Sequence, residues 1–158
     1  MNWGSWLLWG FIATIALTTI SAGAQGAGLT RMSFPDVLGL AFTASRDKAR
    51  IYGFGIHVLL GLIYSLIYVA VFQSLHAAGW WRGALLGLAH ALFVLVAVMK
   101  LLPSVHPRMA SEQYGPTAKR VLEPPGILAL HYGVQTPLAI VVSHVAFGAI
   151  LGAFYHLH

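Results

Sequence analysis

The chain contains no cysteine and very little charge. Its 158 residues include nine Lys or Arg and four acidic side chains, 8% in all, where soluble domains carry about 25%. Without cysteine there are no disulfides, no thiolate metal sites and no cysteine nucleophile. The shortage of carboxylates excludes more. Asp36, Asp47, Glu112 and Glu123 all fall in two polar connections, so no acid inside an apolar segment can orient a histidine for triad chemistry. Ser143 beside His144 is no catalytic pair either, because neighbours on a helix point in different directions. An enzyme acting alone is therefore the least favoured class. There is no acidic or basic tail, and nothing points to nucleic acid.

What is present is hydrophobic: 58% of residues, with a mean hydropathy of +0.77. No charged side chain occurs before Arg31, between Arg50 and Arg82, between Arg82 and Lys100, or after Glu123. A membrane-spanning helix needs about 20 mainly apolar residues, and each window holds one. Spans are predicted at 3–24, 50–74, 80–102 and 136–157, joined by cytoplasmic connections 25–49 and 103–135. Lipid offers no water to backbone amides, and the runs are too continuous for alternating barrel strands. The sequence thus predicts an all-α, polytopic fold, one transmembrane domain over 1–158 with the lipid bilayer as its first partner.

Eight of the nine basic residues lie on one side of these spans, with Arg82 alone on the other. Basic residues favour the cytoplasm, so the expected placement is an inner membrane with both termini, His158 included, outside. Ala22-Gly23-Ala24 resembles a cleavage site, but the preceding apolar stretch exceeds a signal peptide's and lacks a positive flank; the first span is expected to stay.

In the first connection, Ser33 and Asp36 have capping-box spacing with Pro35 in a first turn, which predicts a brief helix at the membrane surface. The second connection is rich in Pro and Gly. Pro103 and Pro107 are expected to stop the third helix, Glu123-Pro124-Pro125-Gly126 to form a turn, and Thr136-Pro137 to open the fourth helix. A connection of about 30 residues is long for a compact bundle and draws attention as a functional segment. His106-Pro107-Arg108-Met109, with Glu112, Glu123 and His131, is its candidate ligand cluster, set against a simple proline turn with Arg108 anchored at headgroups. Trp3, Trp6, Trp9, Trp80 and Trp81 read as interface anchors.

HVLLGLIYSLIY at 57–68 and HVAFGAILGAFY at 144–155 share a skeleton. A shift of 87 residues superposes His57 on His144, Gly61 on Gly148, Ile63 on Ile150 and Tyr68 on Tyr155, and places Asp36 on Glu123 and Gly39 on Gly126. This predicts a two-helix unit used twice in parallel. Four-residue spacing stacks Gly53, His57, Gly61 and Ser65 on one helix face and His144, Gly148, Gly152 and His156 on another. The third span has Gly79, Gly83 and Gly87 in register, a face suited to close helix contact and to self-association or docking of other membrane subunits. His57, His90 and His144 should then face the bundle interior, opposite hydroxyls at Thr14, Thr18 and Thr19.

Four readings of that cluster stand open. One is b-type haem between the second and fourth spans, with His57 and His144 as axial ligands and Gly61 and Gly148 bordering the slot. Another is a zinc or copper site made by His57, His90 and His144. A third is a proton relay or substrate contact in a small oligomeric carrier. The last is neutral histidine acting only as interhelical glue. A cofactor-binding or accessory membrane subunit is the leading expectation, with the carrier as the alternative. HPRM, the PPG turn, LGLAFT, GIHVLLGLIY and HVAFGAILGAFY together resemble a family of small bacterial four-helix membrane proteins of unknown function. That resemblance implies the same four-span architecture and brings no activity, cofactor or catalytic residue.

Overall fold

The computed structural model describes residues 1–111 and 113–157. Four helices are long and apolar enough to cross a membrane: Trp3–Gly26, Arg46–Ser74, Trp80–Val105 and Thr136–Phe154. We call the first two α1 and α3, with the short α2 (Phe34–Leu40) between them. The third is α4 (Trp80–Phe93), a π-helical turn (Val94–Val98) and α5 (Met99–Val105) in continuous succession. The fourth is α6. The protein is an all-α, multi-pass membrane bundle. Its two long connections lie on one face, the loop face, and the chain ends and the α3–α4 turn on the other.

The spans agree with the sequence reading except at their ends. Pro103 does not stop the third helix, which runs on to Val105. In a last turn the missing proline N–H removes a single bond. The stop is set by Pro107, which disfavours helical geometry in the residue before it; His106 is extended at φ −84°, ψ 119°. Thr136 is the first residue of α6 and not its cap, which is Gln135. Its hydroxyl instead meets Thr30 Oγ1 at 2.7 Å. The predicted surface helix forms as α2, where the Ser33 side chain accepts from Asp36 N at 3.3 Å.

Glycine decides which helices touch. A Cβ on Gly83 would stand 1.9 Å from the Gly148 carbonyl oxygen, one on Gly148 2.0 Å from the Gly83 oxygen, and one on Gly87 2.3 Å from the His144 oxygen. No side chain intervenes, so α4 and α6 are in backbone contact, as small residues permit in lipid. The stripe expected to serve self-association is therefore occupied within the chain, with Gly79 facing Gly152. A second pair of contacts fixes α2 on the base of α3: Gly39 lies on the Ala49 carbonyl and Gly53 on that of Pro35. Gly61 rests on the Thr14 side chain of α1.

The two glycines of the repeated skeleton thus do equivalent jobs. Gly61 holds α3 to α1, and Gly148 holds α6 to α4. Each second helix has a glycine contact with the first helix of its own unit, while α1 also packs broadly against α6 across the units. Phe72, Phe147, Leu151, Val69 and Tyr68 fill the space between the units.

Gly83→Ala should destabilise the bundle by about 1–3 kcal/mol, the usual range for forcing an extra methyl into a packed site. Gly55→Ala, on open space, should be neutral or stabilising by about 0.5–1 kcal/mol because glycine weakens a helix interior. Reversible unfolding of the two variants in detergent checks this.

Candidate functional site

The three intramembrane histidines are held differently, and their surroundings set their chemistry. His144, 5% exposed, gives its Nδ1 proton to the Ile140 carbonyl of its own helix at 2.8 Å, leaving Nε2 as an acceptor. His57 meets Thr18 Oγ1 through Nδ1 at 3.1 Å. That hydroxyl donates to the Thr14 carbonyl at 2.8 Å, so its oxygen accepts from His57, again leaving Nε2 bare. Phe34 from the loop face stacks on the His57 ring at 5.7 Å.

His90 is the hub. Its Nδ1 lies 3.1 Å from the Tyr68 hydroxyl, and the Tyr64 ring covers it at 4.4 Å. It meets His144 edge to face, centroids 4.8 Å apart at 83°. This contact follows from the fold: Gly87 packs on the His144 carbonyl, one turn from the Gly83–Gly148 crossing, and His90 follows Gly87 by three residues on α4. Aromatic pairs favour such edge-on geometry. His57 is turned to Thr18 of α1 and to Phe34, and makes no ring contact with His90 or His144 among the described residues. Each imidazole can both give and take a proton, and no Asp, Glu, Lys or Arg occurs in the stretches 51–81, 83–99 and 124–157 that hold them.

This arrangement corrects two expectations. Gly61 and Gly148 border no common slot: the first is filled by Thr14, the second by the α4 backbone. The edges along which a flat macrocycle would lie are closed helix contacts, so His57 and His144 do not fit as axial ligands of haem. Nor do His57, His90 and His144 form a tripod. His57 is turned to Thr18 while His90 and His144 pair, and among the described residues no group of three or more His, Asp or Glu is placed to hold a metal ion.

Sequence reasoning named Tyr68 only as a repeat position and gave neither Tyr64 nor Tyr68 a part in the histidine cluster. Tyr64 and Tyr68 sit mid-span, away from the interfaces where tyrosine usually lies, and at seven and eleven residues from His57 they were within its helical register. It also took all five tryptophans as anchors. Trp3, Trp80 and Trp81 are exposed as anchors should be, but Trp6 Nε1 donates to Ser65 Oγ at 2.8 Å, and Trp9 stacks on Phe154 at 4.5 Å. Thr19 and His156 are exposed.

On the loop face, the HPRM segment is a latch. His106 accepts the Arg108 backbone N–H at Nδ1, 3.1 Å, so Nε2 carries the proton and donates to the Val37 carbonyl at 2.8 Å. Arg108 donates to the Leu40 carbonyl at 2.6 Å. Both acceptors belong to the last turn of α2, whose carbonyls lack helical partners. Arg108 is thus tied to α2, where a headgroup anchor was expected. Glu123 pairs with Arg31 at 3.0 Å, and Arg31 also reaches the His131 carbonyl. Tyr132 donates to the Glu123 carbonyl at 2.7 Å; burial, with help from Glu123, pushes its pKa to about 12. His131 accompanies Pro124 and does not join His106. Glu112 and His158 lie outside the described residues.

Compared with known proteins, the chain matches no family model, no curated protein and no solved structure.

The latch gives a pH dependence. Burial lowers the His106 pKa below its ordinary 6.5, the adjacent Arg108 charge acts the same way, and the Val37 bond opposes them. The unfolded chain then binds a proton at a higher pH than the folded one. The latch's stabilisation is full above about pH 6.5 and is lost as pH falls below it. Thermal unfolding of the protein and of His106→Gln should show a gap in midpoint at neutral pH that closes on acidification. A gap that widens in acid contradicts the assignment.

Proposed function

We propose that this is a small proton-handling membrane carrier whose intramembrane histidines pass protons through the bundle. The observation that carries this reading is the His90 hub, which holds the Tyr68 hydroxyl on one nitrogen and meets His144 edge to face. Buried ionisable groups in a membrane are functional candidates by default. Here His57 and His144 each keep a bare Nε2 able to take a proton, and Tyr68 supplies a neutral donor to the His90 that His144 touches. Interhelical glue needs one hydrogen bond per histidine, worth about 1 kcal/mol, and does not require two imidazoles in ring contact beside a tyrosine hydroxyl.

The finer placement belongs to the same proposal. The basic residues of the two connections support a loop face in the cytoplasm of a bacterial inner membrane with both termini outside. Reporter fusions should then report Lys48 and Lys119 inside. Activity of an external-side reporter at both would reverse the orientation.

Proton uptake tests the relay. Vesicles holding the purified protein, driven by an inside-negative potassium diffusion potential, should take up protons faster than protein-free vesicles. His90→Phe should slow this by about 100-fold, the lower end for a positioned proton-transfer group, and Tyr68→Phe by less. His76→Phe, exposed in the α3–α4 turn, should have no effect. Uptake equal to protein-free vesicles, or unchanged in a folded His90→Phe variant, would overturn the reading.

A further inference from the structure

Between the loop-face ends of α1 and α3 lies a cavity of about 60 Å³. Thr18, Ser21 and Gln25 line it from α1, Ser33 and Phe34 from the connection, and His57 from α3. Three features set it apart from a packing gap. Its wall carries three hydroxyls, an amide and an imidazole, whereas empty cavities are apolar. The Ser21 hydroxyl oxygen is buried and makes no hydrogen bond among the described residues, an arrangement native proteins rarely leave without a partner. Its volume suits about two water molecules, each taking about 30 Å³ of liquid.

We propose that this cavity is a hydrated vestibule, a binding site for water that opens on the loop face and delivers protons to His57. Water held by Ser21 and Gln25 donates to the bare Nε2 of His57. The imidazole gains the proton there and becomes imidazolium, while the water recovers one from bulk solvent. Phe34 forms the lid of the vestibule by lying flat on the His57 ring, and the latch sets its position by fixing α2, of which Phe34 is the first residue. The delivery step rests on the relay proposed above; the hydration of the cavity stands on its own walls.

The absence of cysteine makes the test clean, since any introduced thiol is the sole one. Ser21→Cys, Ala44→Cys and Ser143→Cys are made singly in the full chain and reconstituted in oriented vesicles. Each is treated from either side with silver ion, a thiol reagent of about the size of a water molecule that does not cross lipid. Ala44 is exposed on the loop face and Ser143 is fully buried. Thiol reactivity follows access to water, so Ser21→Cys should react from the loop face within about 100-fold of Ala44→Cys and far faster than Ser143→Cys. Its modification should also slow proton uptake by about 10-fold, because a positioned proton path is then obstructed. Reaction no faster than Ser143→Cys, or from the terminal face only, would overturn the vestibule even if proton uptake is real. A reactive thiol in protein that moves no protons would leave the vestibule standing and refute the relay.

Discussion

Everything in this bundle depends on the backbone contact between α4 and α6. Lipid tails are as apolar as leucine, so spans gain nothing merely by hiding from their solvent. They associate through close packing and the few polar bonds they can make. Gly83, Gly87 and Gly148 bring two peptide backbones together without side chains between them. The same crossing fixes the separation of the residues within a turn or so of it, His90 and His144 among them. A wider crossing would part the two rings.

The polar groups follow a gradient along the bundle. At the loop face, charges and carbonyls are tied by Arg31, Glu123, His106 and Arg108. Deeper lie hydroxyls and the Thr18–His57 bond, then the His90, His144 and Tyr68 group. At the opposite end, Gln73 donates to Tyr155 Oη at 3.0 Å and to the Leu157 carbonyl at 3.1 Å. Below the loop face, the polar side chains Thr18, His57, His90, His144 and Tyr68 have neutral partners, as burial in lipid favours. A proton can be accommodated on imidazole without a fixed countercharge, since histidine changes charge at the mildest cost of any basic side chain.

Span number, the helical class and the loop face were legible because they depend on length and charge placement alone. The role of Gly61 and Gly148 was half legible. Periodicity shows that a glycine lies on a close-packed face, but it does not say which neighbour fills that face. Thr14 and Gly83 fill these two, where a macrocycle had been expected. Pro103 misled because proline signals a stop by itself, and the last turn of a helix tolerates it. The latch escaped notice for another reason. His106 and Arg108 recognise carbonyls of α2, and a carbonyl belongs to every residue, so no pattern of side chains announces it. Ser21 was invisible for the same cause: its distinction is the partner it lacks.

The central claim is that the glycine crossing holds His90 against His144 as one proton-exchanging unit. Solid-state NMR on histidine-labelled protein in lipid measures this directly through ring-to-ring dipolar correlations. A cross-peak between the His90 and His144 imidazoles is expected, consistent with centroids 4.8 Å apart. It should vanish in Gly148→Leu, where the added side chain must push α6 off α4. Absence of the cross-peak in the unsubstituted protein, or its survival in Gly148→Leu, would contradict the account.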